Sequence, residues 1–174
     1  EFDLFQFVSP EMFKEPQDLE VLERLESIFL SEKRIIIRGK PKVWYVYLLG
    51  LFYSLDEVAF LKAAKRLNLP NRIKNSLCED RTQCRESLEK LTSKKKCEPV
   101  EVYHAFANLS VEGVVFLMAL SSTDRINKYA NIYFNQYQGR MKPSLTGNDL
   151  VKMGVEPGPI FKFILNALQE ARIE

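Results

Sequence analysis

Val43-Trp-Tyr-Val-Tyr-Leu-Leu-Gly-Leu-Phe-Tyr53 is the most apolar run of this chain, and its reading decides the fold. It is apolar nearly all round, which predicts a buried, central helix over 42–53 rather than a surface one. It falls far short of the ~20 residues a membrane span needs. Trp44 is expected there as a buried indole. Gly39, Lys40 and Pro41 break the chain just before it. Upstream, Leu19, Leu22, Leu25, Ile28 and Phe29 recur at helical spacing, with Glu20, Glu23, Arg24 and Glu26 off the stripe. Pro16 stands ahead of that helix, where proline is tolerated. Arg34-Ile-Ile-Ile-Arg38 has strand propensity but no evident partner strand.

Downstream the chain reads as helix after helix. Ser54-Leu-Asp-Glu57 has the form of a capping box and opens a helix to about Leu67. Asn68-Leu-Pro70 ends it, and Asn71 caps a long polar helix to about Lys94, with Ile73, Leu77, Cys84, Leu88 and Leu91 near one period. Cys97-Glu-Pro99 is a linker with Pro99 opening the next helix. Ser110 caps an apolar helix over 111–120, and Thr123 or Asp124 caps another over 125–138. No hairpin signal of the Asn-Gly type joins alternating runs. The expected fold class is all-α, an irregular multi-helix bundle ending in a helix-hairpin-helix-like motif. A body subdomain over 1–97 and a tail over 98–174 are expected, unless the two are continuous.

Composition sets the outer bounds. With 46% hydrophobic and 28% charged residues, 174 residues can bury a sizeable core. A net charge of +2 is too small to argue for nucleic acid by itself, so any RNA face must come from how charge is distributed. The N-terminus is acidic and lacks the apolar stretch of a signal peptide. Three cysteines without motif spacing suggest reduced thiols in a cytoplasm. Cys78, Cys84, Cys97 and His104 lack the closely spaced ligand pair of structural zinc, so no metal is expected. His104 is expected as a partly buried helix residue. Glu79, Asp80 and Asp124 are scattered and suggest no general acid/base pair, so no catalytic residue is assigned.

The last thirty residues have a reading of their own. Asp149 or Asn148 can cap a short helix that Gly154 ends. Val155-Glu-Pro-Gly158 then forms a tight turn, and Pro159 suits the first turn of a helix with Ile160, Phe163, Ile164, Ala167 and Leu168 on its apolar face. Backbone N–H groups at such a turn can receive a phosphate oxygen, and Lys152 and Lys162 flank it. The alternative is that the glycines and prolines only shape a packed turn, with Gly158 needed if it takes a positive φ. Elsewhere, Lys62, Lys65 and Arg66 share one helix face. Arg125, Lys128, Arg140 and Lys142 bracket the 125–138 helix. Tyr129, Tyr133 and Tyr137 form a stripe along it that reads as core before it reads as an RNA-stacking platform.

Leu145, Thr146, Gly147, Asp149, Leu150, Gly154, Pro157, Gly158 and Pro159 fall in the order L-T-G-x-D-L-x-x-x-G-x-x-P-G-P. In this the chain resembles the C-terminal end of the bacterial tRNA nucleotidyltransferase/poly(A) polymerase family. The likeness is to its long, multidomain members, which carry phosphoesterase-type and CBS domains on their N-terminal side. Val43 to Leu49 looks like the family's tryptophan-bearing body helix, and Arg125 to Arg140 is similar to the helix that leads into the terminal motif.

The resemblance implies a parent enzyme that adds CMP and/or AMP to the tRNA 3′ end from CTP and ATP with magnesium. It places the chemistry in a head absent from this chain: no Asp-x-Asp occurs in it. The implied role of this part is to grip the acceptor–T-arm backbone of tRNA, with Arg140, Lys142, Lys152, Gly158, Lys162, Lys62, Lys65, Arg66, Arg125 and Lys128 as candidate contacts. The implied partners are tRNA, the head and neck of the same parent chain, and a second subunit, without a membrane. The competing reading is a helical protein-interaction or dimerisation module that never touches RNA.

Overall fold

The computed structural model describes residues 4–12, 16–30, 40–121, 123–139 and 145–173. Among them are ten α-helices, one π-helical turn and no strand: α1 (Leu4–Val8), α2 (Pro16–Leu30), α3 (Val43–Tyr53), α4 (Glu57–Arg66), α5 (Asn71–Thr92), α6 (Pro99–Ala107), α7 (Val111–Leu120), α8 (Asp124–Ile132), the π-turn Tyr133–Tyr137, α9 (Gly147–Lys152) and α10 (Pro159–Glu170). The fold is all-α, as the periodicity predicts. The Arg34–Arg38 segment lies outside the described residues.

The centre of the molecule is α7. Every residue from Gly113 to Ala119 is buried, because α2, α3, α5 and α8 all pack against this helix. A helix without a polar face is stable in water only when it is covered on all sides. The same pattern predicts a central α3, and there the structure is more qualified. Tyr45, Val46, Leu49 and Phe52 are buried, but Trp44 is 54% exposed. It sits in the first turn of α3 beside Val43, itself 46% exposed, so the expected buried indole is not found. Gly50 lets α2 close on α3: a Cβ there would stand 3.0 Å from Leu22 Cδ2.

Several helix starts differ from the sequence reading. Leu55 is buried, so the turn between α3 and α4 needs both 54 and 55. The cap of α4 is therefore Asp56, whose carboxylate accepts from Ala59 N at 2.7 Å, and Ser54 closes α3 instead. Pro70 holds the N-cap position of α5; Asn71 lies inside the helix and accepts from Lys74 Nζ. Ser110 caps α7 as expected, accepting from Gly113 N at 2.9 Å. The tyrosine stripe is core: Tyr133 and Tyr137 are buried, and Tyr129 Oη accepts from Cys97 N. His104 is exposed rather than partly buried, and its Nε2 lies 2.8 Å from Glu170 Oε1, which ties α10 to α6.

Arginines stitch the bundle by donating to carbonyls at or beside helix ends, where the last turn leaves acceptors without intrahelical partners. Arg24 Nε donates to Ala119 O at 2.6 Å and Arg85 Nη2 to Tyr53 O at 2.6 Å. Arg81, itself buried, donates to Leu55 O and lies 4.5 Å over the Phe60 ring. One core cluster runs from Met12 to Ile173 and crosses residue 97.

Candidate nucleic-acid interface

The terminal motif is built on a cap and a glycine. Thr146, not Asp149 or Asn148, is the N-cap of α9. Its backbone N and Oγ1 donate to Asp149 Oδ2 at 2.9 and 2.6 Å, and these bonds hold the Asp149 carboxyl below the usual range. Gly154 ends α9 at φ +85°, with Val155 N donating back to Leu150 O, a conformation glycine adopts without penalty. Residues 155–158 turn the chain, and Phe161 N donates to Gly158 O as α10 begins.

Gly158 does not take a positive φ, and a Cβ there would meet nothing nearer than Glu156 O at 4.0 Å. The conformational need for glycine falls on Gly154 instead. The expected packed face of α10 is also largely open. Phe163 is 74% and Ile160 55% exposed, while Ile164 and Leu168 are half-buried.

The ten candidate contacts fall into three groups. Lys152 and Lys162 are exposed on either side of the 155–158 turn, with Gly158 between them; Lys152 Nζ lies 3.9 Å from Asp149 Oδ1. Lys62 and Lys65 on α4 and Lys128 on α8 are exposed. Arg66 and Arg125 are engaged within the fold. Arg66 Nη1 donates to Phe7 O at 2.7 Å, and Arg125 donates to Leu91, Lys94 and Lys95 carbonyls at 2.9 Å, closing the C-terminal end of α5. Arg140 and Lys142 lie outside the described residues.

Sequence reasoning missed a cavity of about 570 Å³ between the start of α3, the first half of α5 and the α6–α7 corner. Asp80, almost fully buried, is on its wall. It accepts from Tyr45 Oη at 2.8 Å and from Ser110 Oγ at 3.0 Å to each oxygen. Burial, reinforced by the bond to Asp80, pushes the Tyr45 hydroxyl well above its usual pKa. Trp44, Lys42 and Arg72 also line the cavity. The available signal was the helical phase of Asp80, which falls three residues from Leu77 on the apolar side of α5. Among the described residues, no group of His, Cys, Asp or Glu side chains is arranged to hold a metal. No single described helix is long and apolar enough to cross a membrane.

No protein-family model matches the chain. It is 28% identical over 174 residues to an A-adding tRNA nucleotidyltransferase of Geobacter sulfurreducens, covering 98% of this chain and 20% of that protein. Its fold matches solved CCA-adding enzymes at 18% identity: an apo form with a TM-score of 0.75, covering 99% of this chain and 39% of that one, and the Thermotoga maritima enzyme in complex with tRNA, with a TM-score of 0.74, covering 99% and 41%. The chain therefore resembles tRNA nucleotidyltransferases along nearly its whole length, as the terminal motif implied. It spans about a fifth of the length of the curated relative.

Proposed function

We propose that this chain is the tRNA-holding module of a tRNA nucleotidyltransferase, gripping the acceptor–T-arm backbone while a separate catalytic head extends the 3′ end. The observation that carries the reading is the likeness to an A-adding tRNA nucleotidyltransferase over 98% of the chain. The exposed Lys152 and Lys162 beside the α9–α10 turn agree with it, because duplex RNA is held by shape and phosphate contacts. The sequence has no Asp-x-Asp carboxylate pair to clamp a metal, so magnesium, CTP and ATP belong to the head. The isolated chain is accordingly expected to add no labelled nucleotide to tRNA lacking its terminal CCA.

The test is tRNA binding as a function of salt. Alanine at Arg140, Lys142, Lys152 and Lys162 should weaken binding by a similar factor for different tRNAs and lower the salt slope by about one unit for each phosphate no longer held. A quadruple variant that binds as tightly as the parent, with an unchanged slope, removes this surface from the RNA site. One observation favours a second reading. The open face of α10 at Ile160 and Phe163 suits packing against another domain or subunit. That reading predicts concentration-dependent association in sedimentation, abolished by Phe163→Glu.

A further inference from the structure

We propose that the cavity between α3, α5 and the α6–α7 corner receives one unpaired nucleotide of an RNA, with guanine the preferred base. The choice of RNA over other ligands rests on the tRNA-holding reading. The cavity supplies the rest.

Its volume of about 570 Å³ is that of a small-molecule site. Its aromatic wall is Trp44, which is half-exposed in the first turn of α3. Bases stack on such a ring, since every base has a π-face. Its polar floor is Asp80. This carboxylate is more than nine-tenths buried, yet it is held by two neutral hydroxyls, and among the described residues no cation pairs with it. A buried carboxylate held without a cation is costly. It also has acceptor capacity beyond the bonds it makes, because a carboxylate offers about four lone-pair sites. A ligand with two adjacent N–H groups would use them.

At the rim stand the exposed cations Lys42 and Arg72, while Glu79 and Glu112 share the wall with Asp80. Three carboxylates beside two cations disfavour a bare phosphate. They suit a ligand rich in N–H donors at one end and anionic at the other. A nucleotide has that polarity. Guanine presents N1–H and the exocyclic N–H side by side; uracil presents a single N–H between two carbonyl oxygens that a carboxylate repels.

The experiment uses Trp44, the single tryptophan of the chain. Its emission is followed while the intact chain is titrated with GMP, AMP, CMP and UMP, and then with an RNA hairpin bearing one unpaired G or, in its place, U. Saturable quenching by GMP and by the G hairpin is expected, with UMP and the U hairpin at least tenfold weaker. Asp80→Asn should erase the preference for G. Arg72→Ala, an exposed change that keeps the fold in circular dichroism, should weaken GMP severalfold and leave guanosine unaffected. Equal binding of GMP and UMP, or no saturable quenching by either, overturns the proposal. GMP binding without G-hairpin binding overturns its RNA half and leaves a free-nucleotide site. Parallel tRNA binding separates the two ideas. If tRNA binds through the α9–α10 lysines while the cavity discriminates no base, this inference alone falls. If tRNA does not bind at all, the tRNA-holding reading falls.

Discussion

Helices α7 and α10 are both strongly apolar in sequence, and the bundle treats them oppositely. Four helices surround α7, whose Phe116 is fully buried. α10 leans on α9, is pinned at its far end by the Glu170–His104 contact and by Ile173, and leaves Phe163 in solvent. An apolar stripe records which face of a helix gains by burial. It does not record whether the same chain supplies the cover. In α7 the absence of any polar face makes burial within the bundle the sole stable outcome, whereas an amphipathic α10 can rest half-docked.

Thiol chemistry should show the largest contrast. Cys84 is fully buried against α7, and burial pushes its thiol far above the usual pKa, while Cys78 is exposed earlier on the same helix. At pH 8, Cys78 and an introduced Phe163→Cys should react promptly with a disulfide reagent. Cys84 should react at least ~10³-fold more slowly, through global opening of a domain stable by roughly 5–15 kcal/mol. Comparable rates at Cys84 and Cys78 would mean that the α5–α7 packing opens locally.

Truncations come next. Phe116→Ala should cost about 3–5 kcal/mol in urea unfolding followed by circular dichroism. Arg125→Ala should cost about 1.5–3 kcal/mol, since it removes charge-assisted bonds from the end of α5. If it leaves stability untouched but weakens tRNA binding, Arg125 belongs to the RNA face after all. Phe163→Ala should stay within ~0.5 kcal/mol. A large loss at Phe163 would show α10 to be covered in solution.

The smallest effect is one of pH. The Asp149 carboxyl is held low by Thr146, so its contribution is present above the unfolded pKa of about 3.9 and is lost as pH falls through the lower folded value. Protection of the α9 amides, taken against their intrinsic exchange rates, should therefore fall in acid below about pH 4 before that of α7. Asp149→Asn should remove that step, and Thr146→Ala, which keeps the backbone bond, should shrink it.

The helices themselves were legible because apolar residues recur at helical spacing. Exact starts were less so: Ser54 and Asp56 are both good caps, and the burial of Leu55 between them, a tertiary fact, decides for Asp56. Trp44 escapes the sequence reading because composition reports how apolar a helix is and not which of its turns the neighbouring helices cover. The structural work of the arginines could not be read at all. Arg24 and its acceptor on Ala119 are 95 residues apart. The carboxylate floor of the cavity was hidden for the same reason, since Tyr45, Asp80 and Ser110 converge from three distant segments.

The π-turn at Tyr133–Tyr137 makes this stretch a counting device. Gln138 N reaches back to Tyr133 O at 2.8 Å, one residue further than an α-helical bond. Deleting one residue there would restore the α-helical register and turn Tyr137 by about 100°, the angle set by 3.6 residues per turn, away from the Tyr103 ring that it meets edge-on at 5.8 Å. Because Ile126 and Tyr137 both enter the core, the number of residues between them is fixed by packing, as the spacing of teeth is fixed on a gear.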